Sequence, residues 1–139
     1  MSRDHVLVDT GPLVAMLRRD DSHHATCIAQ SQTLARPLIT TWPVLTEAAW
    51  LLRNVPGGVT SLFRQIEAKL VKPVEIEESA APWLRKFMEK YADARVQLAD
   101  ATLCYVAQRD GIDVVFTLDR RDFSIYRTSK NHPFVLLPS

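Results

Sequence analysis

His5-Val6-Leu7-Val8 runs directly into Asp9-Thr10-Gly11-Pro12-Leu13-Val14-Ala15. The first four residues read as a β-strand, because a short apolar run rich in β-branched side chains suits a buried, pleated position. The strand ends at Asp9. Gly11-Pro12 breaks it, and proline, with its fixed φ and missing N–H, suits the first position of a helix carrying Leu13, Val14, Met16 and Leu17.

Working outward, the same alternation recurs. Asp21 or Ser22 is placed to cap a second helix reaching about Ala35. Pro37-Leu38-Ile39-Thr40 reads as a second strand. Thr41 or Trp42 then precedes Pro43 at the start of a helix striped by Val44, Leu45, Ala48, Leu51 and Leu52. Turn residues from Asn54 to Gly58 end it, and a further helix covers roughly Val59 to Ala68. Leu70-Val71-Lys72-Pro73-Val74 is expected as an edge strand, because its proline cannot donate to a ladder. Ser79-Ala80-Ala81-Pro82 opens a helix to about Tyr91, and Leu98, Ala101, Leu103, Cys104 and Val106 mark another that ends near Gly111. Val114-Val115-Phe116-Thr117 and Phe134-Val135-Leu136-Leu137 complete the strands. Strands separated by helices predict an α/β fold with a mostly parallel sheet and helices on both faces. No repeat or linker interrupts the chain, so residues 1–139 are expected to form a single domain. Ligands of such sheets gather at the carboxyl ends of strands.

Composition narrows the function classes. The chain has 139 residues, 47% of them hydrophobic and 24% charged, which is the balance of an ordinary globular protein. No apolar run approaches the ~18 residues of a membrane span. Met1-Ser2-Arg3-Asp4-His5 leads into an apolar stretch too short and too charged for a secretory signal, so a cytoplasmic location is expected. Cys27 and Cys104 each sit in an apolar helical pattern and read as core thiols, with no zinc spacing around them. A net charge of +1 does not announce a nucleic-acid binder. If RNA is the substrate, a local basic patch or a bound cation must offset its phosphates.

Four carboxylates stand out. Asp9 closes the first strand, and Asp119 lies just past the Val114–Thr117 strand. Glu47 lies one turn inside the helix after the second strand, and Asp100 near the start of its own helix. Glu47 and Asp100 are each embedded in apolar sequence, Val44-Leu45-Thr46-Glu47-Ala48-Ala49-Trp50 and Val96-Gln97-Leu98-Ala99-Asp100-Ala101. Carboxylates near a core are costly unless paired or metal-bound, and a group of them repels itself. A divalent cation is the natural compensation, and an all-oxygen set favours Mg²⁺ or Mn²⁺ over Zn²⁺. In phosphodiester cleavage such an ion lowers the pKa of the attacking water, neutralises charge at phosphorus and stabilises the leaving oxygen.

The segments Val8-Asp9-Thr10-Gly11-Pro12-Leu13-Val14-Ala15, Val44-Leu45-Thr46-Glu47-Ala48, Tyr91-Ala92-Asp93 with Leu98-Ala99-Asp100-Ala101, and Thr117-Leu118-Asp119-Arg120-Arg121-Asp122-Phe123 resemble the four motifs of PIN-domain nucleases. They are most similar to those of VapC-type toxins from toxin–antitoxin pairs, in order and over nearly the whole chain. The resemblance implies a three-layer α/β/α sandwich, usually homodimeric, with Mg²⁺- or Mn²⁺-dependent endoribonuclease activity and a small antitoxin that binds over the active site. It implies that Asp9 and Asp100 are metal ligands, that Glu47 orients the attacking water or acts as base, and that Asp119 completes the site or holds a second ion. Thr10 and Thr117 match supporting hydroxyl positions, and Asp93 and Asp122 match frequent acidic ones. His24 matches a position often occupied by histidine in this subgroup, making it a minor candidate for substrate contact.

Plainer readings compete at each position. Asp9 could merely cap the helix that follows it, Asp119 could be a turn residue and Glu47 an exposed helix residue. Asp9-Thr10-Gly11 also spells the aspartic-protease triplet, but one copy followed by a helical pattern lacks that fold's context. A dehalogenase-type phosphatase wants a second aspartate where Gly11 stands. His23 and His24 point about 100° apart on a helix and do not share an ion. Arg120 and Arg121 flank Asp119, where contacts to an RNA backbone would help. Trp42, Trp50, Trp83 and Phe87 read as core or dimer contacts. Among whole-protein readings, a PIN-like binding domain and an RNA- or DNA-processing nuclease without a toxin role stand as alternatives to the toxin nuclease.

Overall fold

A computed structural model describes residues 5–128 and 130–139. Strand β1 (Leu7–Val8) feeds α1 (Thr10–Leu17) and α2 (His24–Gln32), and β2 (Leu38–Thr40) feeds α3 (Trp42–Leu51) and α4 (Gly58–Glu67). After β3 (Val71–Pro73) come α5 (Ala81–Lys90) and α6 (Leu98–Asp110), then β4 (Val114–Phe116), the short α7 (Arg120–Phe123) and β5 (Val135–Leu137). The sheet order is β3-β2-β1-β4-β5, and every pairing is parallel.

That order fixes the place of the site. From β1 the chain steps outward to β2 and β3, then returns past β1 to β4 and β5. Right-handed crossovers in opposite directions put α1–α4 on one face and α5–α6 on the other, giving the α/β/α sandwich. The direction changes between β1 and β4, and a crevice opens there at the carboxyl ends of the strands. The register pairs Val8 with Phe116, so the next residues, Asp9 and Thr117, lie side by side at its mouth. The Asp9 N–H still bonds the Phe116 carbonyl at 2.9 Å, and the Thr117 N–H bonds that of Leu137 at 2.9 Å.

The central strands are apolar on both faces because both faces are covered. Leu7, Val8, Val115 and Phe116 are completely buried. At the edge, β3 carries the proline that its exposed side tolerates. An aromatic cluster fills the space between α5, α7 and the segment before β5: Trp83 stacks on Phe87 at 5.2 Å, and Tyr126 meets Phe87, Tyr91 and Phe123 at 5.3, 5.0 and 5.2 Å. Phe87 therefore belongs to the interior, and Trp83 packs against it half-buried. Trp42 and Trp50 do not: they lie on the open side of α3, the latter 63% exposed beneath the Arg53 guanidinium. Cys27 and Cys104 are free and buried.

Two local features depart from the sequence expectation. The second helix begins at His24, because Asp21 accepts the His23 N–H at 2.8 Å and its carbonyl accepts that of His24 at 3.0 Å, closing a turn ahead of the helix. Helix α7 is too short to show any periodicity and was not expected at all.

Gly111 ends α6 in the left-handed region at φ 70°, where a Cβ would meet no neighbour. Gly111→Ala should therefore cost about 1–2 kcal/mol through backbone conformation alone. Urea denaturation should show a lower midpoint with an unchanged slope.

Candidate active site

The crevice at the ends of β1 and β4 holds a cleft of about 400 Å³ lined by Asp9, Thr10, Glu47, Asp100, Asp119 and Asp122, among others. Asp9 stands at the N-cap position of α1 but makes no side-chain capping bond. Its Oδ2 instead accepts the Thr117 hydroxyl at 2.9 Å, and the same hydroxyl oxygen accepts the Asp119 N–H at 2.9 Å. One buried threonine thus joins the end of β1 to the loop after β4. The close seat of α1 against that loop depends on Gly11, where a Cβ would come within 3.2 Å of Leu118 Cβ.

Asp100 enters from the first turn of α6, between the small buried residues Ala99 and Ala101. The helix N-terminus favours a negative charge there. Its Oδ2 accepts the Tyr126 hydroxyl at 2.9 Å. Nearby, Thr41 and Thr102 share a buried hydrogen bond of 2.8 Å, which ties the start of α3 to α6. Glu47 faces the cleft from α3, half-buried, with Oε2 at 3.5 Å from the Thr10 hydroxyl, which also lies 3.3 Å from the Val44 carbonyl.

Asp119 caps α7: its Oδ1 accepts the Asp122 N–H at 3.1 Å. Asp119, whose plainer reading is a turn residue, thus serves as a helix cap, whereas Asp9, whose plainer reading is a cap, is tied to Thr117 instead. Asp100, Asp119 and Asp122 each bring an oxygen within 4.8 Å of the others. Asp122 thus stands with Asp100 and Asp119 in one close group.

Crowding and burial change the acidities. Burial pushes the Asp9 carboxyl up from 3.8 to about 6, against bonds from the Thr10 backbone and Thr117, with the charges of Glu47 and Asp119 adding to the rise. Burial, followed by the charge of Asp9, raises Asp100 from 3.8 to about 7, although the Tyr126 hydroxyl favours its ionised form. Asp122 is raised as well, by burial and by Asp119. The donors are all carboxylate oxygens, without a histidine or thiolate among them. That chemistry fits a hard divalent ion, whose charge would reverse the mutual repulsion.

The remaining sequence candidates lie elsewhere. Asp93 is exposed in the turn Ala92–Ala94 and does not line the cleft. His24 donates through Nδ1 to the Ala15 carbonyl at 2.7 Å and so ties α2 to α1. Arg120 donates to the Pro138 carbonyl at 2.8 Å, anchoring the end of the chain. Arg121 is exposed and close enough for its charge to favour ionised Asp122. Tyr126 was missed by sequence reasoning. It lies in a connection without a motif.

Comparison with known proteins follows the same outline. The family model of the PIN domain matches residues 6–130. Ribonuclease VapC26 of Mycobacterium tuberculosis is 27% identical, the match covering 96% of this chain and all of that protein. The crystal structure of VapC20 of Mycobacterium tuberculosis, described as a sarcin–ricin-loop-cleaving toxin, superposes with a TM-score of 0.75 at 18% identity, covering 83% of this chain and 90% of that one.

Raised carboxyl pKa values set the sign of a pH effect. Between 3.8 and about 6 for Asp9, or about 7 for Asp100, the folded protein holds a proton that the unfolded chain has released. Stability of the metal-free protein should therefore fall as pH rises through that window. Asp100→Asn in EDTA should raise the thermal midpoint by a few degrees at about pH 8, and by much less at about pH 4. Melting curves of both proteins across that range check it.

Proposed function

The chain belongs to the PIN-domain family, and from that premise we propose that it is an endoribonuclease that hydrolyses RNA phosphodiester bonds with the help of Mg²⁺ or Mn²⁺. The observation that carries this reading is the convergence of carboxylates from four elements on one crevice, with oxygens of Asp100, Asp119 and Asp122 within 4.8 Å of one another. A group so placed has no use for stability, since burial and repulsion both oppose its ionisation.

Asp9 and Asp100 are the principal ligands, and Asp119 with Asp122 completes the oxygen set. A divalent ion there would lower the pKa of an attacking water and set positive charge opposite the phosphate. Glu47, on the other wall, is placed to orient that water and take its proton. Thr117 holds Asp9 in place, and the Thr10 hydroxyl lies beside Glu47. Arg121, at the rim beside Asp122, is the better placed of the two arginines for a phosphate contact, since Arg120 already anchors the chain end.

RNA as substrate is supported by the name of the ribonuclease relative, and a toxin role by the description of the structural one. We infer on the same footing that a small antitoxin covers the cleft. Exposed Trp42, Trp50 and Phe63 suit burial against a second copy of the chain, in keeping with a homodimer of single-domain protomers. No helix among the described residues is long and apolar enough to cross a membrane, and we place the proposed RNA cleavage in the cytoplasm as part of the same reading.

The test is cleavage of a panel of structured RNAs by wild type, Asp9→Asn and Asp100→Asn, with Mg²⁺, Mn²⁺ or EDTA and with a DNA competitor. Loss of a residue that merely supports a ligand costs about 10–100-fold, so loss of a ligand should exceed about 100-fold. Wild type should cut only with metal. Cleavage at full rate in EDTA would remove the metal mechanism, and preference for the DNA would remove the ribonuclease reading.

A further inference from the structure

Three of the clustered carboxylates have one oxygen engaged by a hydrogen bond. Thr117 occupies Asp9 Oδ2, the Asp122 N–H occupies Asp119 Oδ1, and Tyr126 occupies Asp100 Oδ2. The first two donors are neighbours of their acceptors in the ladder or the chain. Tyr126 reaches Asp100 from the connection between α7 and β5, 26 residues away. Its ring is completely buried and packs against the rings of Phe87, Tyr91 and Phe123, with centroids 5.0–5.3 Å away. A ring confined in this way cannot swing, so its hydroxyl points to one place. A hydroxyl donating to a carboxylate in a water-poor site makes a strong, directional bond.

We propose that Tyr126 is a positioning residue of the metal centre: by holding Oδ2 of Asp100 it fixes the plane of that carboxylate and would leave its other oxygen to an ion held together with Asp119 and Asp122. Ligation through one oxygen suits a small octahedral ion, whereas a free carboxylate could turn to chelate with both. The aromatic cluster is then the rigid support of a ligand, linking the packing of α5 and α7 to the geometry of the cleft. This inference rests on the cation-dependent reading above.

The experiment is calorimetric titration of Mn²⁺ into wild type, Tyr126→Phe and Leu62→Val, each melted in EDTA beforehand. Phenylalanine keeps the ring and removes only the hydroxyl. Leu62 is buried on α4 and does not line the cleft, so its variant measures what destabilisation alone does to affinity. Tyr126→Phe should melt within a few degrees of wild type yet bind Mn²⁺ about 10–100-fold more weakly. Leu62→Val should melt lower and bind within about twofold of wild type. An affinity within twofold in Tyr126→Phe overturns the proposal, and so does an affinity that tracks the melting point across both variants. A wild type that binds no Mn²⁺ overturns the cation-dependent reading and this inference with it.

Discussion

Thr117 gives its hydroxyl hydrogen to Asp9 and receives the backbone N–H of Asp119 on the same oxygen. The arrangement at the mouth of the cleft depends on that completely buried side chain. It lies beside Asp9 because β1 and β4 are adjacent, parallel and in the register that pairs Val8 with Phe116. The hydroxyl can serve both neighbours because it is donor and acceptor at once. A valine of nearly the same shape would fill the space and leave Asp9 without its side-chain donor, a buried loss of about 1–3 kcal/mol.

The site works against the fold that holds it. Asp9 and Asp100 are buried, and burial raises both pKa values, with the charges of Glu47 and Asp119 adding at Asp9 and that of Asp9 adding at Asp100, so each ionised carboxylate costs folding energy that the apolar strands beneath must offset. The fold limits the cost by giving each a dedicated donor, Thr117 for one and Tyr126 for the other, and by setting Asp100 in the first turn of a helix. A bound cation would remove the repulsion and make the same group stabilising. Stability and function are thus linked through one cluster, and metal, proton and folding equilibria are expected to move together.

Rigidity around the cleft comes from different sources on its two sides. On the β1 side, backbone ladder bonds hold Asp9 and Thr117 directly. On the α6 side, the packed rings of Phe87, Tyr91, Phe123 and Tyr126 support Asp100, and the Thr41–Thr102 bond couples α6 to the helix that carries Glu47. Sites held by side-chain packing are more sensitive to single substitutions than sites held by backbone, because a ladder survives the loss of a side chain. The exposed tryptophans of α3 stand apart from this scaffold and contribute nothing to holding the carboxylates in the isolated chain.

Much of the architecture was legible along the chain, since burial on both faces of a parallel sheet writes apolar runs at Val6–Val8, Leu38–Ile39 and Val114–Phe116, and proline and glycine mark the helix ends. The four carboxylates Asp9, Glu47, Asp100 and Asp119 were also legible, because charge inside apolar sequence, or directly after a strand, is conspicuous. What the sequence could not contain is who meets whom. Strand order and register put Thr117 against Asp9, and the four-residue helix that brings Asp122 beside Asp119 is too short for any periodic signal. Likewise His24, singled out by the family resemblance, and Arg120, by its place beside Asp119, are taken up by the Ala15 and Pro138 carbonyls. Tyr126 reaches Asp100 only after α5, α6 and α7 have closed around it. Apolar patterning is a property of each segment by itself, whereas hydrogen bonds between distant side chains exist only once packing has brought their atoms within 3 Å or so of each other.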